Sequence, residues 1–420
     1  MRVLPSFGII PLGFSAASRK LEDMKIGNTI YLDHQATTPT DKRVLAAMRP
    51  YLDESFGNPH SADHILGWEA AKAVDKAADQ IANMIGADAD EIIFTSGATE
   101  ANNLALLGLA HGVTDKSRRR LVVSAIEHKC VLAVAEIMRD RFGFDIETLP
   151  VDSNGIIILS ALEDTLDERV LLVSTMLVNH EIGSIQRIQE IKQLCERHGV
   201  LFHCDGAQAP GNLDLSHVSE MADLLSLSAH KIYGPKGIGA LFVSRAVQSQ
   251  LEPIIYGGGQ QQNKRSGTVP TPLCIGMGKA AEIIAGDDAA RERETIRVLR
   301  DRFIASLQTF DQPVHVNGPP LTERHPGNVN VRFEGFSAHD ILDALQPQLA
   351  ASTGSACTTG IPEISHVLAA IGLNDIEADS SIRFSLGRYT TGEDIDEAVL
   401  LVGRALEILS ESGAMIAATN

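Results

Sequence analysis

Between about residues 65 and 245 two kinds of pattern alternate along the chain. The stretch WEAAKAVDKAADQIANMIG places Trp68, Ala71, Val74, Ala78, Ile81 and Ile85 at three- and four-residue steps, which puts them on one face of a helix. Short apolar runs follow: EIIFTS, RLVVSAI, RVLLVSTMLV, VLFHCD, DLLSLSAH and GIGALFVS, several of them uninterrupted by charge. Such runs predict strands buried on both faces of a largely parallel sheet. Helical segments such as QRIQEIKQLCERHG lie between some of them, so the whole reads as a doubly wound α/β pattern. After about residue 285 the texture changes. A charged helical stretch, ARERETIRVLRDRFIASL, leads to HPGNVNVRF and SSIRFSLGRYT, which alternate more and predict a smaller α+β domain. No internal repeat or low-complexity segment is present.

Composition narrows the function classes. With 420 residues, 44% hydrophobic and 21% charged, the chain has material for a large core and two or three domains. A net charge of −18 argues against nucleic acid as a primary partner, because a phosphate-binding surface needs a basic excess. The one basic cluster, Arg118-Arg119-Arg120, reads as a solvated loop before a strand. The five cysteines, Cys130, Cys195, Cys204, Cys274 and Cys357, offer no CxxC pair. An odd, sparse set fits a reducing compartment and a cytoplasmic location. No apolar run reaches the ~20 residues that a membrane span needs. At the start, Pro5, Gly8, Pro11 and Gly13 break the apolar stretch that a signal peptide would want, so residues 1–28 are expected to be a flexible extension, with Met24 as an alternative start.

In open α/β sheets ligands bind at the carboxyl ends of strands, so the polar residues that close the apolar runs carry the interest. In FTSGATEANN a strand ends at Ser96-Gly97-Ala98-Thr99 and a helix begins near Glu100, which makes either a plain helix cap or a phosphate cradle. In SAIEHKC, His128 stands at the same edge. In FHCDGAQ, Asp205 ends a buried strand, where a carboxylate is costly unless it meets a cation, and Gln208 follows. In SLSAHKIYGPKGIG, His230 and Lys231 leave a strand directly. A lysine there is either partly desolvated, hence a nucleophile toward aldehydes, or it snorkels to solvent. GGGQQQNKRSGTVP leads through glycines to Arg265-Ser266-Gly267-Thr268, a second anion-binding loop. Together these ends describe one ligand, an aromatic aldehyde with a phosphate: pyridoxal 5′-phosphate, with Lys231 as its Schiff-base amine and Asp205 on a protonated ring nitrogen. Far downstream, AASTGSACTTGI hangs Cys357 among glycine, serine and threonine, on what reads as a polar loop.

YLDHQATTP, FGNPHS, FTSGATEANNLA, EHK, VNHEIG, DGAQ, SAHKIYGPKGIGAL, RSGT, STGSACT and SSIRFSLGR, in this order from about Ile30 to about residue 410, resemble the cysteine desulfurases, group I, the NifS/IscS type. The resemblance implies an α/β fold, PLP-dependent fold type I, with a mostly parallel central sheet, helices on both faces and a smaller α+β domain. Its implied division is a large cofactor-binding domain over 40–285, and a small domain made of 29–39 with 286–420 that carries the Cys357 loop. It implies a homodimer and a reaction in which L-cysteine and an acceptor thiol give L-alanine and a persulfide. By position, Lys231 resembles the Schiff-base lysine, Asp205 the ring-nitrogen partner and Gln208 the donor to the ring hydroxyl. His128 resembles the histidine stacked on the ring, with a role in proton transfer. Ala98, Thr99, Ser228 and His230 match the phosphate cradle, and Thr268 a phosphate contact reaching across from the other subunit. Arg383 resembles the clamp for the substrate carboxylate, and Cys357 the nucleophile, bracketed by Gly354 and Gly360.

Two departures stand out. His180 in VNHEIG replaces the family's usual second asparagine, which puts its cofactor and substrate contact in doubt. The tail SESGAMIAATN lacks the longer extension that some relatives use to dock a scaffold protein, so delivery to an iron–sulfur scaffold is a less safe expectation, and iron–sulfur cluster assembly, tRNA thiolation or another small sulfur-acceptor protein all stay open as the destination. No metal site is expected, though Cys357 as a transient iron–sulfur ligand stays open. A selenocysteine lyase or another PLP-dependent C–S lyase or aminotransferase of the same fold is the alternative activity, and a scaffold that has lost its chemistry is the non-enzymatic one.

Overall fold

The protein is described by a computed structural model covering residues 25–27, 29–353 and 364–413. The Cys357 loop, most of the N-terminal extension and the end of the tail lie outside the described residues. The strands run, in chain order, β1 (Lys25–Ile26), β2 (Thr29–Tyr31), β3 (Ile92–Thr95), β4 (Arg120–Ser124), β5 (Asp145–Leu149), β6 (Val170–Met176), β7 (Leu201–Asp205), β8 (Leu224–Ser228), β9 (Gly239–Val243), β10 (Val314–Val316), β11 (Asn328–Phe333), β12 (Leu349–Ala350) and β13 (Ser381–Ser385).

A seven-stranded sheet in the order β3-β9-β8-β7-β6-β4-β5 forms the centre. Strands β4 to β8 pair in parallel, and β9 runs antiparallel to both its neighbours. Successive side chains of a strand point to opposite faces. Accordingly Phe94, Val122, Leu225 and Phe242 enter one core, under the helices Ile65–Ile85, Ile188–Arg197 and Thr271–Ile284. Their neighbours Ile93, Leu121, Leu224 and Leu241 enter another, under Ala98–Gly112 and Lys129–Phe142. Burial on both faces is why the apolar runs are continuous. A third core gathers Ile30, Leu32, Phe303, Phe333, Phe384, Val402 and Leu406. It lies between the antiparallel sheet β10-β11-β13 and the helices Ala289–Leu307 and Gly392–Ser412. The N-terminal segment joins this later part of the chain: β2 pairs with β12, and Asp33 bridges to Ser385.

Four readings change. Trp68, placed by its spacing on the buried face of the first long helix, is 55% exposed, and its indole donates to Ala62 O at 2.7 Å. The buried stripe there is small, Gly67, Ala70, Ala77 and Ala78, because the helix Thr271–Ile284 packs so close that a Cβ on Gly278 would meet Ala77 Cα at 2.7 Å. The edge strand β5, DIETL, went unpredicted because its polar residues break the apolar signal. The helix after β3 begins at Ala98, two residues earlier than Glu100. Arg118, Arg119 and Arg120 are all engaged, on backbone carbonyls and on Asp145, Glu147 and Asp167. No helix among the described residues is long and apolar enough to cross a membrane.

Candidate active site

The parallel strands end at one edge, and a cleft of about 580 Å³ opens there. Ala98, Thr99, His128, His180, Asp205, Gln208, Ser228, His230 and Lys231 all line it. Strand β8 delivers Lys231 through the short turn Ala229–Lys231. Its Nζ donates to Ala36 O at 2.9 Å and also to Gln35 O. Burial, with the nearby Arg383 guanidinium, lowers the ammonium to about 8, against the opposite pull of Asp33 and Asp205. The amine is therefore held in place and loses its proton far more readily than an ordinary lysine, at about pH 8. Two residues on, Tyr233 sits at φ 64, a strained position for a residue with a Cβ. It is held there by its N–H on Thr38 Oγ1 (2.8 Å), by its hydroxyl, which accepts from Arg388 N (2.6 Å), and by the Arg388 guanidinium 4.2 Å over its ring.

Asp205 closes β7 and is buried. Two hydrogen bonds orient its carboxylate: Asn102 Nδ2 donates to Oδ2 at 2.7 Å and Ala207 N to Oδ1 at 2.9 Å. Gln208 Nε2 donates to Gln35 O at 2.9 Å. Gln35 thus touches both Lys231 and Gln208, and its side chain accepts from Asn328 Nδ2 on β11 at 2.7 Å.

His128 caps the helix Lys129–Phe142, its Nδ1 accepting from Cys130 N at 3.2 Å. Although part of the residue is open to the cleft, loss of water around the ring lowers its pKa; Asp205 opposes this and Lys231 adds to it. His180 stands edge-on to His128, ring centroids 5.3 Å apart. Burial, then His128 and Arg383, push it well below the ordinary histidine range, so both imidazoles are neutral.

The helix Ala98–Gly112 starts on Gly97, which brings no side-chain cap to its first amides. Ser228 Oγ lies buried beneath without a partner. At Gly239 a Cβ would stand 2.6 Å from Gly97 Cα and 2.5 Å from Leu227 O, so β9 passes close under this turn only because the residue is glycine. Thr37 Oγ1 lies 3.1 Å from His230 Nδ1.

Two predicted residues stand apart. Thr268 is exposed and does not line the cleft of its own chain. Its loop is not free to bind an anion through Arg265, because Arg265 Nε pairs with Glu100 at 2.8 Å. Arg383 is buried on β13 outside the cleft lining, with Nη1 on His180 O (2.9 Å) and Nη2 on Asp33 Oδ1 (2.7 Å) and Ser352 Oγ (2.8 Å). Sequence reading missed Asp33, Gln35, Thr37, Asn102 and Cys130. The motif YLDHQATTP was the available signal for the first three. Among the described residues no cluster of His, Cys, Asp or Glu could hold a metal ion.

The aminotransferase class-V family model matches residues 30–398. The chain belongs to the aminotransferase class-V family. This class-V member is 44% identical over 387 residues to Cysteine desulfurase IscS of Rickettsia massiliae (strain Mtu5), which is 92% of the chain and 93% of that protein. A solved NifS-like protein superposes with a TM-score of 0.83 at 32% identity, covering 91% of the chain and all of that structure. A structure of SspA in complex with cysteine gives 0.76 at 37%, covering 86% of the chain and all of SspA. The resemblance drawn from the motifs therefore holds along nearly the whole length, and so does the α/β fold of type I. Class-V aminotransferases of the desulfurase type use pyridoxal phosphate, and the cleft fits it. A desolvated amine, a buried carboxylate, an orphaned hydroxyl and an uncapped helix start face one space.

Proposed function

We propose that this class-V protein is a cysteine desulfurase that uses pyridoxal 5′-phosphate and passes sulfur from L-cysteine through Cys357 to an acceptor. The observation that carries this reading is the meeting of Lys231, Asp205 and His128 in one cleft. The identity to Cysteine desulfurase IscS supports it. In the net reaction the substrate's C–S bond breaks and an S–S bond forms at Cys357. The thiol hydrogen ends on the methyl group of alanine. The cofactor, when bound, supplies a ring that stabilises negative charge at the substrate's α-carbon.

The chain's own residues do the rest. Lys231 would hold the cofactor through its aldehyde, and its amine would serve as the base for the substrate's α-proton. Asp205 holds the ring nitrogen's proton, and Gln208 reaches the ring hydroxyl. The first amides of the helix at Ala98 and Thr99, with Ser228 and His230, hold the phosphate. His128 would lie against the cofactor and return a proton to the product. Cys357 takes the sulfur. His180, beside His128 in the cleft, is assigned a substrate contact.

Arg383 is assigned the substrate carboxylate. A lysine there could not serve His180 O, Asp33, Ser352 and a carboxylate together. Arg383→Lys is expected to raise KM for L-cysteine by about tenfold or more with a smaller change in kcat, read from steady-state alanine production. A KM within about twofold of the wild type would give the carboxylate to another group.

A homodimer and a small sulfur-acceptor protein belong to the same proposal. Thr268, away from its own cleft, is free to serve a partner subunit's cleft, and Leu52, Phe56, Ile65 and Trp68 are exposed enough to be covered by one. The test is direct. Holoenzyme, L-cysteine and a reducing thiol should give alanine and sulfide in equal amounts. No alanine, or turnover of selenocysteine alone, would overturn the reading.

A further inference from the structure

The cleft contains a thiol that this chemistry leaves unused. Cys130 lines it beside His128, with its sulfur 3.0 Å from His128 Nδ1 and 3.2 Å from Asn102 Nδ2. Asn102 is fully buried and gives the same Nδ2 to Asp205 Oδ2. These contacts fix the directions of the hydrogens. Asp205 is an acceptor, so Asn102 turns its NH2 group toward it, and the second hydrogen of that group points to the Cys130 sulfur, which accepts. The N–H of Cys130 meets His128 Nδ1, so that nitrogen carries a lone pair and Nε2 carries the ring's proton. The thiol hydrogen then has the same lone pair as its acceptor. The thiol keeps that hydrogen: burial first, and Asp205 second, push it up to about 12, although Asn102 and the Thr99 hydroxyl donate to the sulfur.

We propose that Cys130 is a positioning residue for His128: with Asn102 it forms a directed chain from Asp205 to Nδ1 that holds the ring in its neutral form, protonated at Nε2. The proposal deepens the role given to His128 above and rests on that reading. A proton arriving at Nδ1 would face both the N–H and the S–H of Cys130, so the ring gives and regains its proton at Nε2, on the side away from the cap. The surrounding groups act in both directions. Asp205 favours the imidazolium, Lys231, His366 and Lys129 oppose it, the neutral His180 ring stands edge-on, and Glu127, the residue before it, is fully buried, its carboxyl pushed well above the usual carboxylate range by burial and by Asp205.

The test is ring-15N histidine NMR on holoenzyme, with His128→Gln to assign the resonance and with Cys130→Ala and Cys130→Ser compared. Wild type and Cys130→Ser should show an unprotonated Nδ1 and a protonated Nε2 from about pH 7 to about pH 8. In Cys130→Ala the ring should titrate at higher pH. The acid limb of kcat/KM should move up with it, and kcat/KM near neutral pH should fall about threefold to tenfold, the worth of one neutral hydrogen bond. Cys130→Ser should recover to within about twofold. A wild-type ring protonated at Nδ1 would overturn the proposal whatever the variants do. So would an alanine variant that titrates like wild type, or a serine variant that titrates like alanine. An inactive wild type with the expected resonances would count against the desulfurase reading and leave this one standing.

Discussion

Lys231→Ala should leave a folded protein that binds pyridoxal phosphate weakly and loses at least about 1,000-fold of its alanine production from L-cysteine, because one side chain supplies both the aldehyde-binding amine and the base. Absorbance of bound cofactor and an alanine assay check the two halves separately. Retention of the bound cofactor's absorbance with turnover within about tenfold would sink the assignment. The lowered amine adds a pH dependence. Capture of pyridoxal phosphate by apoprotein should quicken as pH rises, levelling off above about 8, where Lys231 is mostly uncharged. Stability follows the same sign. The unfolded chain keeps its lysine protonated to about pH 10.4, so between there and about 8 the unfolded state binds the extra proton and folding gains with rising pH. Below about 8 the folded state carries a buried ammonium. Lys231→Met apoprotein should therefore melt higher than wild type at neutral pH, and the gap should close as pH rises.

The second large effect is expected at Cys357. Cys357→Ala should bind cofactor as well as wild type, yet release alanine and sulfide at least about 100-fold more slowly. Undiminished release would remove the nucleophile from the mechanism. The flanking residues support a thiol within reach. Ser352 bonds to Arg383, and at no more than about 3.6 Å per residue Cys357 stays within roughly 18 Å of it. After the loop, Ser365 Oγ donates to Glu181 Oε2 at 2.5 Å and His366 Nε2 lies 2.9 Å from Glu127 O. The segment before the loop is thus fastened to Arg383, and the segment after it to Glu181 and Glu127, the residues beside His180 and His128.

What could be read from the sequence was what is local. Strands β4, β6, β7 and β8 announced themselves because both faces are buried, and the side chains at their ends followed. Lys231, Asp205, His128, Gln208 and the cradle residues all reached one cleft for that reason. The residues that hold them did not announce themselves. Gln35 acts on Lys231 from 196 positions away, mainly through a backbone carbonyl, which any residue type could supply. Asn102 looked like an interior helix residue until Asp205 was folded against it. β5 was lost to its polar edge, and Trp68 to a spacing rule that cannot say where a helix outruns its sheet.

The Asp33–Arg383 ion pair joins residues 350 positions apart, and Asp33 belongs to the segment that carries Gln35 across Lys231. On the ribosome the chain is made from its N-terminus. The sheet, Asp205 and Lys231 are complete long before β13 is synthesised, while the segment beginning at Asp33 has no Arg383 and no Ser385 to close upon. The finished pocket can therefore close only late in synthesis, and a nascent chain stalled before Ser381 carries the amine without the clamp.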